Sequence, residues 1–148
     1  FLEYDGGAVF VKVREVQKVR EVREEEEGKM MEERGFKKLI VWKRMQEFVL
    51  LMYQLTEGFP KPETFGLQGQ MRRAAVSVLS NFVEGYLKRS IKEKLQFLER
   101  SQTSLQELIG QAEVCLTLGY FTNEQYEAFE KKRGEVGYLL YRYMSVLR

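Results

Sequence analysis

The chain has 148 residues, 44% of them hydrophobic and 31% charged, and a net charge of +2. That length suits one domain with its own core, and the balance is that of a soluble globular protein with a charged surface. Histidine is absent and Cys115 is the sole cysteine, which removes Ser–His–Asp and Cys–His arrangements, His-containing zinc sites, thiolate clusters and any intrachain disulfide.

No run of about 18 uncharged apolar residues is present, so no transmembrane helix and no membrane partner are expected. The first residues lack the basic region and apolar run of a secretory signal. A reduced, cytoplasmic setting fits, with Cys115 read as a small buried residue on a helix. The net charge conceals an asymmetry. Residues 1–35 carry 7 basic and 10 acidic side chains, a balance of −3, whereas residues 36–148 carry 17 and 12, a balance of +5.

In chain order, residues 1–35 form an N-terminal extension unlike the rest. KVREVQ at 12–17 is repeated almost perfectly as KVREVR at 18–23, and Glu24 to Glu27 follow. Val13, Val16, Val19 and Val22 step by three, a spacing that drifts around a helix instead of building one face. A frayed helix or partial disorder is expected here. The run EEEEGK ahead of Met30 and Met31 needs codons that are almost all purine, as a translated ribosome-binding site would. A native start at Met30 or Met31 is therefore an expectation, with 1–29 outside the native protein.

From Phe36 onward four helical segments are predicted. The first covers about 37–57, with Trp42, Met45, Phe48, Val49, Met52 and Tyr53 as its apolar stripe, ended by Gly58 and Pro60. After the loop FPKPETFG (59–66), the second covers about 64–88. Leu67, Met71, Ala74, Ala75, Val78 and Phe82 share one of its faces, and Val76, Leu79, Val83 and Tyr86 carry apolar character further round. Ala74 and Ala75 leave room for a close neighbour.

The third segment opens at SIKE (90–93), where Ser90 and Glu93 form a capping box. Its core face is Leu95, Leu98, Leu105, Leu108, Ile109, Ala112 and Leu116, and it ends near Gly119. The fourth opens at TNEQ (122–125), with Thr122 and Gln125 as a second capping box. Tyr126, Phe129, Arg133, Val136, Leu140, Tyr143 and Leu147 make a seam along it, and Gly134 and Gly137 are candidates for a close helix contact. Helices of about 20 residues, each about 30 Å long, joined by short connections make an all-α, antiparallel up-down-up-down four-helix bundle over 36–148.

Two constellations stand out. Gln70, Arg73, Ser77, Asn81 and Glu84 recur at helical steps on the second segment, and Arg100, Ser104, Glu107 and Gln111 do so on the third. Buried polar groups left unpaired cost about 1–3 kcal/mol each, so two such lines are expected to face each other as a structural network. The competing reading is a ligand or phosphate site at Arg73 with Glu84 or Glu107. Glu84 and Glu107 are also the one carboxylate pair in reach of acid–base chemistry. No nucleophile or Gly-rich phosphate loop accompanies them, so no enzyme, cofactor or metal is expected.

The second constellation is basic: Lys37/Lys38, Lys43/Arg44, Arg72/Arg73, Lys88/Arg89/Lys92/Lys94 and Lys131/Lys132/Arg133. Charged helix positions are usually a solvated face. Their alternative use is contact with nucleic-acid phosphates, for which Lys88, Arg89, Lys92, Lys94, Arg72, Lys131 and Lys132 are the candidates. Tyr138, Tyr141 and Tyr143 crowd the last helix, where amphipathic rings suit a subunit interface.

The ordered motif Q-x-R-R-A-A-x-S-x-x-x-N-x-x-E-G, carried by Gln70, Arg72, Arg73, Ala74, Ala75, Ser77, Asn81, Glu84 and Gly85, resembles the bacterial four-helix-bundle proteins, also called 23S ribosomal RNA intervening-sequence proteins. The loop FPKPETFGL and the segment SLQEL at 104–108 agree, and the resemblance covers about 36–148. It departs at Leu79, where proline is expected, so the helix should run straighter through 77–81. It departs also in YLKRS after the EG pair, which keeps Lys88 and Arg89 but adds bulk at Tyr86 and Leu87.

The resemblance implies a homopentameric ring, and a related branch is the accessory determinant of diversity-generating retroelements, which works with a reverse transcriptase and its RNA. The expected function is a non-enzymatic oligomeric scaffold that binds RNA or DNA through basic helix faces. The alternative is a protein-interaction scaffold, for instance for a reverse transcriptase, without nucleic-acid contact.

Overall fold

The computed structural model describes residues 14–25 and 36–148. It is all-α, with no strand among the described residues. The chain divides into two units, Phe1–Leu39 and Ile40–Arg148. In the first, α1 spans 14–25, and Val16, Val19 and Val22 on it are exposed. The disorder expected for the rest of the extension falls outside the described residues, as do Met30 and Met31.

Four long helices follow: α2 (Phe36–Thr56), α3 (Leu67–Leu87), α4 (Ile91–Thr117) and α5 (Asn123–Leu147), with a single 3-10 turn at Lys61–Thr64. Local chemistry sets their ends. Thr122 and Gln125 form the expected reciprocal capping box at α5, with bonds of 2.9 and 3.1 Å. At α4 only half of the expected box forms. Ser90 Oγ accepts from the Glu93 N–H, but the Glu93 carboxylate takes the Ser90 hydroxyl instead of its backbone N–H. Gly119, at φ +76°, closes α4. The Tyr120 N–H reaches back to Cys115 O and the Gly119 N–H to Leu116 O, so the last carbonyls of the helix are satisfied.

The helices pack as a bundle around one core. Met45, Phe48, Met52, Met71, Ala75, Val78, Leu98, Leu108, Ala112, Cys115, Phe129, Val136, Leu140 and Met144 are fully buried. Burying a side chain of the larger kind contributes about 1.5–3 kcal/mol, so these positions dominate stability. Phe48 of α2 meets Phe129 of α5 at 6.0 Å between ring centres. Phe82 of α3 meets Tyr143 of α5 at 5.4 Å. Between α3 and α4 the contacts run 85 to 94, 78 to 101, 77 to 104 and 71 to 115, numbers rising along one helix as they fall along the other.

Several side chains depart from the expected faces. Tyr53 is 41% exposed, with its ring under the Arg72 guanidinium. Arg133 leaves the α5 seam to pair with Glu130 at 2.8 Å, and Met144, beside the seam, is fully buried. Tyr143 is core, while Tyr138 and Tyr141 are exposed. Gly134 has open space where a side chain would begin, and at Gly137 a Cβ would make an ordinary 3.5 Å contact with Leu105. The close approach lies at Gly85, where a Cβ would stand 3.0 Å from Lys94 O. α3 is unbroken through Leu79, as expected without a proline there.

Cys115 is buried as expected, its Sγ 3.5 Å from Met71 Sδ. Burial, and secondarily the Glu63 charge, push its thiol up to about 11. The unfolded thiol ionises near 9.0, so above that pH the unfolded chain sheds a proton the folded chain keeps. Native protein should resist a thiol reagent at pH 8 and react at once in denaturant. Its stability, followed by urea melts, should fall as pH rises from about 9 to about 11, and Cys115→Ala should flatten that slope.

Candidate functional site

The two polar lines do face each other. Gln70, Arg73 and Ser77 of α3 and Ser104, Glu107 and Gln111 of α4 line one open groove of about 310 Å³, with Ala74 in its floor. Its one cross-helix polar bond joins Ser77 Oγ and Ser104 Oγ at 2.8 Å. Asn81 Nδ2 supports it from below, donating to Ser77 O and Ser77 Oγ, each at 2.9 Å. One turn away, Ser101 donates to Val78 O at 2.6 Å.

The expected network is therefore shorter than the two lines. Ser77, Asn81 and Ser104 make it. Gln70, Arg73, Glu84 and Glu107 are exposed and make no hydrogen bond or ion pair among the described residues. Arg100 is exposed and stacks over Phe97, 4.8 Å from the ring centre, so it does not join. Gln111 reaches the groove with its Oε1 buried and without a partner. Ser77 and Ser104 are the one pair across the two lines, among the described residues, that stands within hydrogen-bond distance. Glu84 and Glu107 lie in opposite directions from the serine contact, roughly 15 Å apart by helical rise, which removes the carboxylate pair.

Arg72 and Arg73, adjacent in sequence, have opposite fates. Arg72 turns to α2, where its Nε donates to Thr56 Oγ1 at 2.9 Å and its Nη2 to Tyr53 O and Glu57 Oε2, both at 3.1 Å. Thr56 is fully buried and passes its own hydrogen to Met52 O. Gln68 Nε2 donates to Thr56 O at 2.7 Å, so the carbonyls at the end of α2 are capped by α3 side chains. Arg73 instead lies back along α3 above Gly69, at the groove.

Of the candidate phosphate contacts, three are already employed by the fold. Arg72 is the α2 anchor just described. Lys94 Nζ donates to Tyr86 O at 2.8 Å and caps the C-terminus of α3. Lys132 lies 3.6 Å from Glu47 and 4.0 Å from Glu135, part of an α2–α5 cluster with Arg44. There the Arg44 guanidinium holds the Glu47 carboxyl below the usual range.

Lys88 is half-buried with its ammonium over the Phe97 ring at 5.1 Å. Arg89 and Lys92 are exposed and carry no ion pair among the described residues. Lys131 is exposed too, but it lies roughly 25 Å along α5 from Arg148, which pairs with Glu99 near the start of α4. The side chains of Lys37 and Lys38 are outside the described ones.

Sequence periodicity missed Thr56, Gln68 and Lys94 as tethers. Their signal is a polar side chain within reach of a helix C-terminus, visible only once the helices are placed. No group of His, Cys, Asp and Glu able to hold a metal occurs among the described residues. No described helix is long and apolar enough to cross a membrane.

Comparison with known proteins gives the chain its relatives. Residues 37–142 match the family model described as 23S rRNA-intervening sequence protein. Among solved structures, a protein with unknown function from the S23 ribosomal protein family of Bacteroides thetaiotaomicron shares the fold. Its TM-score is 0.68 at 21% identity, over 74% of this chain and 99% of that one. No curated protein matches the chain. The matched span runs from α2 into α5 and includes the groove and the α3–α4 turn, and the chain belongs to the 23S rRNA-intervening sequence protein family.

Proposed function

We propose that this protein is a non-enzymatic, cytoplasmic scaffold whose α2–α5 form an up-down-up-down bundle and assemble into a homo-oligomeric ring. It binds RNA or DNA through phosphate contacts, without reading sequence. The observation that carries this reading is the α3–α4 turn. With Arg72, Lys94 and Lys132 occupied by the fold, Arg89 and Lys92 remain as exposed cations without a carboxylate partner among the described residues. Lys88 adds a third charge over Phe97.

A few cations per subunit bind a phosphate backbone weakly. A ring presents several such turns to one strand, and effective concentration multiplies them. The ring beside the turn, Phe97, already carries Lys88 and Arg100, which favours backbone contact over base reading.

The test is a titration of generic RNA and duplex DNA followed by fluorescence anisotropy across salt concentrations. The double variant Arg89→Glu/Lys92→Glu should weaken binding tenfold or more and reduce the salt slope by about 2. No binding by the native protein at about 50 mM salt, where phosphate contacts are strongest, overturns the nucleic-acid reading. Light scattering after size exclusion tests the ring, and a monomer at micromolar concentration rejects it.

A further inference from the structure

The groove between α3 and α4 holds hydrogen-bonding capacity that the fold leaves unspent, and that capacity is sorted by charge. The donors come first. The Ser77 and Ser104 hydroxyls carry two hydrogens between them. One lies in their shared bond, and Ser77 also accepts from Asn81. The other hydrogen has no acceptor among the described residues. One helical turn above, the Arg73 guanidinium lines the groove with no carboxylate partner among the described residues.

Acceptors face them. Glu107 lines the opposite wall one turn from Ser104, likewise without an ion pair among the described residues. Beyond it Gln111 Oε1 is buried and without a partner. Arg73 lies four residues before Ser77 and Glu107 three residues after Ser104. With the two helices running in opposite senses at this contact, the two charges stand on facing walls at about one level.

We propose that this groove binds a small zwitterion of the α-amino-acid class. The carboxylate accepts from the Arg73 guanidinium and the serine hydroxyl. The ammonium donates to the Glu107 carboxylate, with the Gln111 side chain beside it in the lining. A guanidinium matches a carboxylate with two parallel hydrogen bonds, and charge-assisted bonds are about twice as strong as neutral ones. The walls offer little apolar surface beyond Ala74, so the ligand's side chain is small or polar, with the Gln70 carboxamide also in the lining to meet it. This site is separate from the α3–α4 turn and stands whether or not the protein binds nucleic acid.

The test is a titration of the full chain, monitored by amide NMR shifts, with L-serine, L-asparagine and L-leucine. Propionate and ethylamine, each bearing one of the two charges, serve as controls. Serine or asparagine should shift groove amides saturably, at least tenfold more tightly than either control and than leucine. Arg73→Gln and Glu107→Gln should each weaken that binding tenfold or more. Both residues are exposed, so both variants should keep their melting temperature, which guards against unfolding as the cause.

Three outcomes overturn the proposal. One is no saturable shift up to about 100 mM ligand, a hundredfold above a millimolar Kd. The second is equal binding of the single-charge controls. The third is a groove whose amides respond to protein concentration and to Arg73→Gln but not to amino acids, which would make it a contact between copies.

Discussion

Replacing Phe82 by alanine is expected to lower the unfolding free energy by about 3–5 kcal/mol. Phe82 is 2% exposed. Its ring packs 5.4 Å from Tyr143 on α5 and 6.3 Å from Tyr86 one turn along α3. Truncation removes the apolar transfer energy and leaves a cavity between two aromatic rings that rigid helices cannot close. For a chain of this size the loss corresponds to a drop in melting temperature of about 6–20 °C. Phe82→Leu, which refills most of the space, should lose about 1 kcal/mol. A Phe82→Ala protein that melts within 3 °C of the parent, by about the same measure, would show that Phe82 is not a core residue.

The second large effect is expected at Gly85, through addition instead of removal. A Cβ there would lie 3.0 Å from Lys94 O and 3.2 Å from both Leu98 Cγ and Phe97 Cβ. These obstacles are a backbone oxygen and the roots of side chains, so they cannot swing aside and α4 must move away. Alanine recovers about 1 kcal/mol of helix propensity against an overpacking cost of about 1–3 kcal/mol, for a net loss of about 1 kcal/mol. Valine brings stiff branching with the clash and should lose about 3 kcal/mol. Displacing α4 also strains the Lys94 cap on the last carbonyls of α3. Gly134→Ala is the control. With nothing near the new methyl, it should stabilise α5 by about 1 kcal/mol. Chemical denaturation of the three variants gives the order, and a Gly85→Val as stable as the parent would remove the close-contact account.

Much of the architecture was legible before any coordinates. Proline and glycine ended α2, Thr122 with Gln125 opened α5, and apolar residues at steps of three and four marked Met45, Phe48, Met71, Val78, Leu98, Leu108 and Phe129 as core. Those signals depend on residues close in sequence, which is why they survive without a structure.

What failed depends on how one helix is rotated against another. Arg72 and Arg73 differ by one step of about 100° around the same helix, and only the position of α2 decides which is tied down. Lys94 reads as one more surface cation until the end of α3 is placed beside it. Gly85 reads as the end of a motif, while Gly134 and Gly137 read as contact points. The assignment reverses because α4 approaches α3 near its C-terminal end. Of the two polar lines, Ser77 and Ser104 meet, while Arg73, Glu107 and Gln111 stay unpaired among the described residues, because spacing along one helix carries no information about how a second helix sits against it.

The tether at the α3–α4 turn has a consequence for the route to the folded state. The connection is residues 88–90, so the first contact, Lys94 with the carbonyls at 85 and 86, closes a loop of only a few residues. Each later contact, at 78 with 101, 77 with 104 and 71 with 115, extends an already closed hairpin by no more than about three turns. Loop-closure entropy grows only with the logarithm of length, and chains rich in such near-neighbour contacts cross their folding barrier fast. The α3–α4 hairpin is therefore the natural nucleus, and α2 and α5 join a surface that already exists. The half of the molecule that carries the groove is then also the half in which native order begins.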